Sequence, residues 1–282
     1  MAKLPVSLSK AAKAWKEVAS NIDEAATLIL AGNEELVALA QAKFSLGGTV
    51  PATWVGALSE LARVAPAADE ILLVLIEPAD EPQVRAELEA ASPKGGVVLA
   101  VKQPVSGERL GHPFDDCIRV DFADDAAGWR LVCTACAELA REHVAGLGRR
   151  YPAVRAAAAQ RIITRTAGQN ALVGVLFFVP GADMPAMTLN QLKMVLYISG
   201  LYGAEIGPDR ALEILAVVAA GFGYRGLARK VARHVPGFGW IYRAIVGYLG
   251  TVAVGMAAVK YFEHGAPAST SKLMALVGNF RS

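Results

Sequence analysis

The sequence predicts an α/β fold followed by an all-α one: an open, mostly parallel sheet in the first half, then an apolar helical module. Three observations carry that expectation. Short apolar runs alternate with helical segments up to about residue 125, the rhythm of βαβ units. Beyond residue 150 the apolar runs lengthen and are broken by two similar turns, Val179-Pro180-Gly181 and Val235-Pro236-Gly237. Charge divides the same way. Residues 1–148 hold 13 Lys+Arg against 21 Asp+Glu, a net of −8, while residues 149–282 hold 15 against 5, a net of +10. Two domains with different surroundings are expected, residues 1–150 and residues 151–282.

The elements follow in order. Ser7 to Ile22 reads as a polar amphipathic helix without the apolar core of a signal peptide, so the first half is expected in the cytoplasm. Thr27 to Ala31 reads as a strand, Gly32 as a turn, and Glu34 to Phe44 as a helix. After Gly47-Gly48 a helix is expected near residues 54–64. EILLVLI, Glu70–Ile76, is the clearest strand, and its unbroken apolar run predicts a parallel strand covered on both faces. The helix Glu81–Ala91, the strand Gly96–Val101, a loop, the strand Cys117–Phe122 and a long helix from Asp125 complete the half.

The chemistry-bearing residues form no recognisable set. Cys133 and Cys136 make a C-x-x-C inside the helical pattern GWRLVCTACAELAREHV. A redox pair opens a helix after a strand, and a zinc site needs a second ligand pair, for which Cys117 and His143 stand at no recognised spacing. Both cysteines are expected as small buried helix residues. His112, His143, His234 and His264 are scattered, and no nucleophile-elbow or metalloprotease pattern occurs. Asp115, Asp116, Asp121, Asp124 and Asp125 surround a strand and read as a solvated edge, with magnesium the sharper alternative. No catalytic residue, cofactor, metal or small-molecule substrate is expected.

A phosphate-binding loop would follow the first strand, with glycines for a backbone cradle, a Lys for the β- and γ-phosphates and a Ser/Thr for magnesium. Gly32 stands at the first position, but Val37, Ala38 and Leu39 occupy the last three. Glu34 and Glu35 put negative charge where phosphate would sit. A guanine-reading Asn-Lys-x-Asp would follow GVVLAV, where Val101-Lys102-Gln103-Pro104 keeps only the lysine. Strand order and spacing still match a degenerate G-domain-like open parallel sheet, against the alternative of a generic α/β domain.

The second half points to a place. The chain is 54% hydrophobic and 19% charged, where soluble domains carry about 25% charged residues, so apolar surface is expected to remain exposed. Arg225, Arg229 and Arg233 recur at four-residue spacing beside Lys230. That face is either a solvated helix surface or a contact for anionic lipid, worth about 1 kcal/mol per basic residue. Nucleic acid would explain the charge and leave the apolar residues unexplained, so it is not expected. Asp183 reads as the N-cap of a helix through Met187–Leu201, with Pro185 near its first turn, or as a buried functional carboxylate.

A spanning helix needs about 20 apolar residues. Ala244–Val259 is uncharged between Arg243 and Lys260, with Trp240, Tyr242, Tyr261 and Phe262 at its ends as interfacial aromatics. With the flanking cations snorkelling, Ile241–Phe262 has the length to span. Gly247, Thr251 and Gly255 form a small-residue stripe suited to close helix packing.

These features carry a resemblance over roughly residues 160–265. Asn170–Asp183, Gln191–Gly203, the turns at Pro180-Gly181 and Pro236-Gly237, and Thr251-x-x-x-Gly255 resemble a bacterial helical domain of unknown function. That family is found after the G domain in some Era-like GTPases and in YcjF-type inner-membrane proteins. The resemblance implies membrane association and a GTPase-like neighbour. The expected function is a non-catalytic adaptor at the cytoplasmic face of the membrane with a protein partner, a GTPase paralogue or a second copy; the alternative is an integral membrane protein that oligomerises through its helical domain.

Overall fold

The structure, a computed structural model, describes residues 7–24, 26–45, 55–56, 67, 70–91, 93–104, 109–111, 117–176, 184–204, 207, 211 and 239–263. By its contacts the chain divides into an α/β unit, Asn21–Arg161, and a helical unit, Met1–Ser20 with Ile162–Ser282. The sequence reading grouped the N-terminal helix with the α/β half. In the structure most of that helix, α1 (Leu8–Asp23), clusters with the helical unit, where Lys193 Nζ meets Glu17 Oε1 at 2.7 Å.

The α/β unit is built on strands β1 (Thr27–Gly32), β2 (Val55–Gly56), β3 (Glu70–Ile76), β4 (Gly96–Lys102), β5 (Arg109–Gly111) and β6 (Cys117–Phe122). Their order across the sheet is β2-β1-β3-β4-β6-β5, with β5 the antiparallel edge and all other pairs parallel. In-register pairs run Leu30–Leu73, Leu73–Val98 and Val98–Ile118. The order reverses between β1 and β3, as in doubly wound sheets. Central strands in such sheets are covered on both faces, which explains the unbroken apolar runs of β3 and β4.

Helices α2 (Glu34–Phe44), α3 (Glu81–Ala91), α4 (Ala126–Leu139) and α5 (Val144–Arg150) accompany the sheet. On one face Ile29, Leu72, Val74, Leu99 and Val101 pack with Val84 and Leu88 of α3. Elsewhere Phe44, Trp129, Phe122 and Tyr151 meet edge to face, and the Leu28 N–H donates to Tyr151 Oη at 3.1 Å.

Two expectations are corrected. Within the segment read as a helix near residues 54–64, Val55–Gly56 is instead an edge strand, aligned with Leu30 and Ala31. The stretch between β4 and β6, read as a loop, contains β5. Both strands are too short to show a two-residue periodicity, and their pairing partners alone define them.

The helical unit holds α6 (Arg155–Leu176), whose first residues belong to the α/β unit, α7 (Met184–Leu201) and α8 (Gly239–Glu263). Gly203 ends α7 in the left-handed region at φ +72°, and the Ala204 N–H donates to Ser199 O at 2.9 Å, which closes the last turn.

Candidate functional site

The packing of α8 is set by its small residues. A Cβ on Gly247 would stand 2.8 Å from the Asn170 carbonyl oxygen and 3.1 Å from Met187 Cε, and one on Gly255 would stand 2.5 Å from Ile163 Cγ1. Eight residues forward on α8 thus match seven backward on α6, so these helices run antiparallel. Thr251, between the glycines, is wholly buried. The stripe Gly247/Thr251/Gly255 therefore faces the chain's own helices.

A polar knot crosses this apolar packing. Asn170 Nδ2 donates to Thr251 Oγ1 at 2.8 Å and to the Met187 carbonyl at 3.3 Å. Asn190 Nδ2 donates to Asn170 Oδ1 at 2.8 Å, and Gln191 Nε2 to Thr251 Oγ1 at 3.2 Å. The Thr251 hydroxyl donates to Gly247 O at 2.7 Å. At the far end Tyr202 Oη meets Glu263 Oε1 at 2.8 Å, so α7 runs alongside α8 in the same direction. Sequence reasoning singled out Thr251 and missed Asn170, Asn190 and Gln191. The available signal was an amide side chain inside each of two apolar helices.

These alignments gather the exposed apolar residues at one end of the helical unit. Leu172 and Leu176 lie on the last turns of α6, at 63% and 67% exposure. Met184 opens α7, and Ile245, Tyr248 and Leu249 lie on the first turns of α8, all exposed. Since Gly247 abuts both Asn170 and Met187, these turns share one level. The exposed face of α8 continues through Met256, with Lys260 and Glu263 exposed at its other end. Soluble proteins rarely leave so many large apolar side chains together in water.

Other candidates divide between the described residues and those outside them. Trp240 and Arg243 lie on α8, with their side chains outside the described residues. Arg225, Arg229, Lys230, Arg233, Pro180, Gly181, Asp183, Pro236 and Gly237 lie outside the described residues altogether. The Pro185-containing helix start is seen, with α7 beginning at Met184.

In the α/β unit the reversal point of the sheet is closed by backbone. A doubly wound sheet binds ligands in the crevice at the carboxyl ends of the strands where the order reverses. Here Gly32, at φ +127°, lies so close to β3 that a Cβ would overlap the Leu75 carbonyl oxygen. The Asn33 N–H donates to that same oxygen at 2.8 Å. Asn33 Oδ1 in turn accepts from the Glu35 and Leu36 N–H groups, so two of the donors that would cradle phosphate at the start of α2 are in use. Glu34 and Glu35 occupy the first turn.

Several charged and polar side chains of this unit are taken up by protein partners. Lys102 pairs with Glu77 at 3.2 Å. Arg119 donates to Glu81 at 2.7 and 3.0 Å and lies 2.7 Å from Asp121, and these carboxylates hold its guanidinium charged far above the ordinary range. Asp124 accepts from Trp129 Nε1 at 2.7 Å, and Asp125 caps α4 through the Gly128 N–H at 2.6 Å. Burial pushes the Cys117 thiol up to about 11 and the Cys133 thiol up to about 12. Cys136, wholly buried, is also raised. Such thiols are poor nucleophiles. Among the described residues no three His, Cys, Asp or Glu side chains gather as a metal-binding group.

Residues 140–279 match the model of the family described as "Domain of unknown function (DUF697)". Magnetosome membrane protein 22 of Magnetospirillum gryphiswaldense is 28% identical over 95 residues, covering 31% of this chain and 49% of that protein. The chain thus spans about half the length of that curated relative. No solved structure matches it.

Proposed function

We propose that this chain is a non-catalytic, membrane-associated adaptor. Its helical unit contacts the bilayer, and its α/β unit, a degenerate G-domain-like module, presents a surface to a protein partner. The observation that carries this reading is the convergence of Leu172, Leu176, Met184, Ile245, Tyr248 and Leu249 at one end of three packed helices. A water-exposed apolar end is costly, and insertion into the acyl boundary removes that cost. The similarity to a magnetosome membrane protein supports the same location. The basic residues Arg225, Arg229, Lys230 and Arg233 would add attraction to anionic headgroups at the cytoplasmic face.

The closed crevice at Gly32 and the capped start of α2 support an α/β unit that holds no nucleoside triphosphate. The partner is then a protein, a GTPase paralogue or a second copy of this chain. Nucleic acid accounts for the charge of the second half and leaves its apolar end unexplained.

A second reading has its own observation. Ala244–Glu263 is 20 residues long, enough by length to span, and its most apolar 18-residue stretch has a mean hydropathy of 1.5. Half of that stretch is buried, however, and its small residues are already packed on α6, so only one face is offered to lipid.

Membrane fractionation of the expressed protein tests both readings. Release by a high-salt or carbonate wash supports peripheral attachment. Retention until detergent is added makes α8 an inserted helix. A Leu172→Asp/Leu176→Asp variant should lose at least tenfold in vesicle co-sedimentation, and an R225E/R229E/R233E variant should lose binding to anionic vesicles alone. Full recovery of the wild-type protein in the soluble fraction overturns the membrane reading.

A further inference from the structure

We propose that the α/β unit carries a trough for a medium-chain acyl anion, between α4 and the start of α6, with the end of α2 at one side. The cavity has a volume of about 320 Å³, at the lower end of the range for small-ligand sites. Its lining recurs along both helices. Ala126, Trp129, Arg130, Cys133 and Thr134 follow one face of α4, and Ala153, in the 3-10 turn just before α6, leads into Ala156, Ala157 and Gln160 on one face of its start. Stripes at three- and four-residue spacing over two turns make an elongated trough about 10 Å long. A flexible chain fits that shape better than a compact polar ligand.

The chemistry of the lining separates along the same lines. Phe44, Trp129 and Cys133 are buried beneath it, and the alanines leave room that larger side chains would fill. Thr134 offers little, because its hydroxyl donates to the Arg130 carbonyl at 2.7 Å. Two cations stand at the cavity. Lys43 Nζ lies 5.3 Å from the Trp129 ring centroid, and Arg130 is exposed. Among the described residues neither has a carboxylate within ion-pair distance, whereas Lys102, Arg119 and Lys193 each have one. An apolar trough with two unpaired cations suits a chain that ends in a carboxylate or phosphate, whose charge-assisted bonds would reach both.

The test uses the full-length chain in phosphatidylcholine nanodiscs, titrated with decanoate carrying a terminal bromine, which quenches nearby tryptophan. Saturable quenching that disappears in Trp129→Phe is expected. A Lys43→Glu/Arg130→Glu variant should raise Kd at least tenfold. Ala157→Leu, which fills the trough, should abolish binding with circular dichroism unchanged; where that variant fails to fold, the surface double variant decides. Decanol, with the same chain and no charge, should bind at least tenfold more weakly. Tighter binding of decyl phosphate than of decanoate assigns the ligand to lipid phosphate, and the reverse assigns it to free fatty acid. Quenching that does not saturate, or that survives in Lys43→Glu/Arg130→Glu, overturns the proposal. Vesicle association is not the readout, so failure here leaves the membrane reading standing, and failure of that reading leaves this one.

Discussion

Asn170 and Thr251, 81 residues apart, are joined by a 2.8 Å hydrogen bond between two side chains that are wholly buried. The bond ties α6 to α8 at the level where Gly247 lets the two backbones approach. Replacing Thr251 by Val keeps the volume and removes the acceptor for both Asn170 and Gln191. Orphaned buried donors cost about 1–3 kcal/mol each, so Thr251→Val should lower stability by about 2 kcal/mol. Urea unfolding measures it, and an unchanged midpoint would show that water reaches these amides.

The two glycines of α8 should respond differently to a methyl group. At Gly247 the obstacle is the Asn170 carbonyl, which moves only if α6 moves. At Gly255 it is the Ile163 side chain, which can be trimmed. Gly247→Ala should therefore cost about 1–3 kcal/mol, and Gly255→Ala a similar amount that shrinks in an Ile163→Ala background, where both Cγ atoms are gone. A double-mutant cycle on Gly255 and Ile163 reads the coupling directly, and a coupling near zero would refute the contact.

Gly32 should tolerate no side chain. Its φ of +127° and its contact with Leu75 O both exclude a Cβ. Gly32→Ala should cost several kcal/mol, whereas Asn33→Ala, which removes only a cap, should cost about 1 kcal/mol. Thermal unfolding of the two variants gives the ranking, and a milder effect at Gly32 would be the contrary result.

The thiols should be silent in the native protein. Cys133 stays protonated up to about 12 in the folded chain, raised from an ordinary 9.0. A raised acid contributes stability that is full below the unfolded value and is lost as pH climbs towards the folded one. Stability should thus decline between about pH 9 and pH 12, less steeply in Cys133→Ala. Iodoacetamide at pH 8 should label none of Cys117, Cys133 and Cys136 until denaturant is added. Rapid native labelling would contradict their burial.

The α/β half was legible because its signals are local. β3 and β4 are continuous apolar runs, α2 and α4 begin at Asn33 and Asp125, and all were readable as pattern. β2 and β5 were not, since edge strands of two and three residues carry no period of their own. Gly32 looked like a remnant of a phosphate loop. Its packing against Leu75 gives it a structural task instead.

The amino-acid order by itself determined which segments are apolar, where charge changes sign, and that no phosphate-loop lysine follows β1. These depend on residue type and spacing along one chain. Tertiary structure alone decided which face of α8 is used. Gly247 and Gly255 turned inward because Asn170 and Ile163 of α6 occupy the space their missing side chains leave. That left Ile245, Tyr248 and Leu249 outward beside Leu172 and Leu176. Helical periodicity defines a stripe, and only a neighbouring helix determines whether that stripe is core or surface.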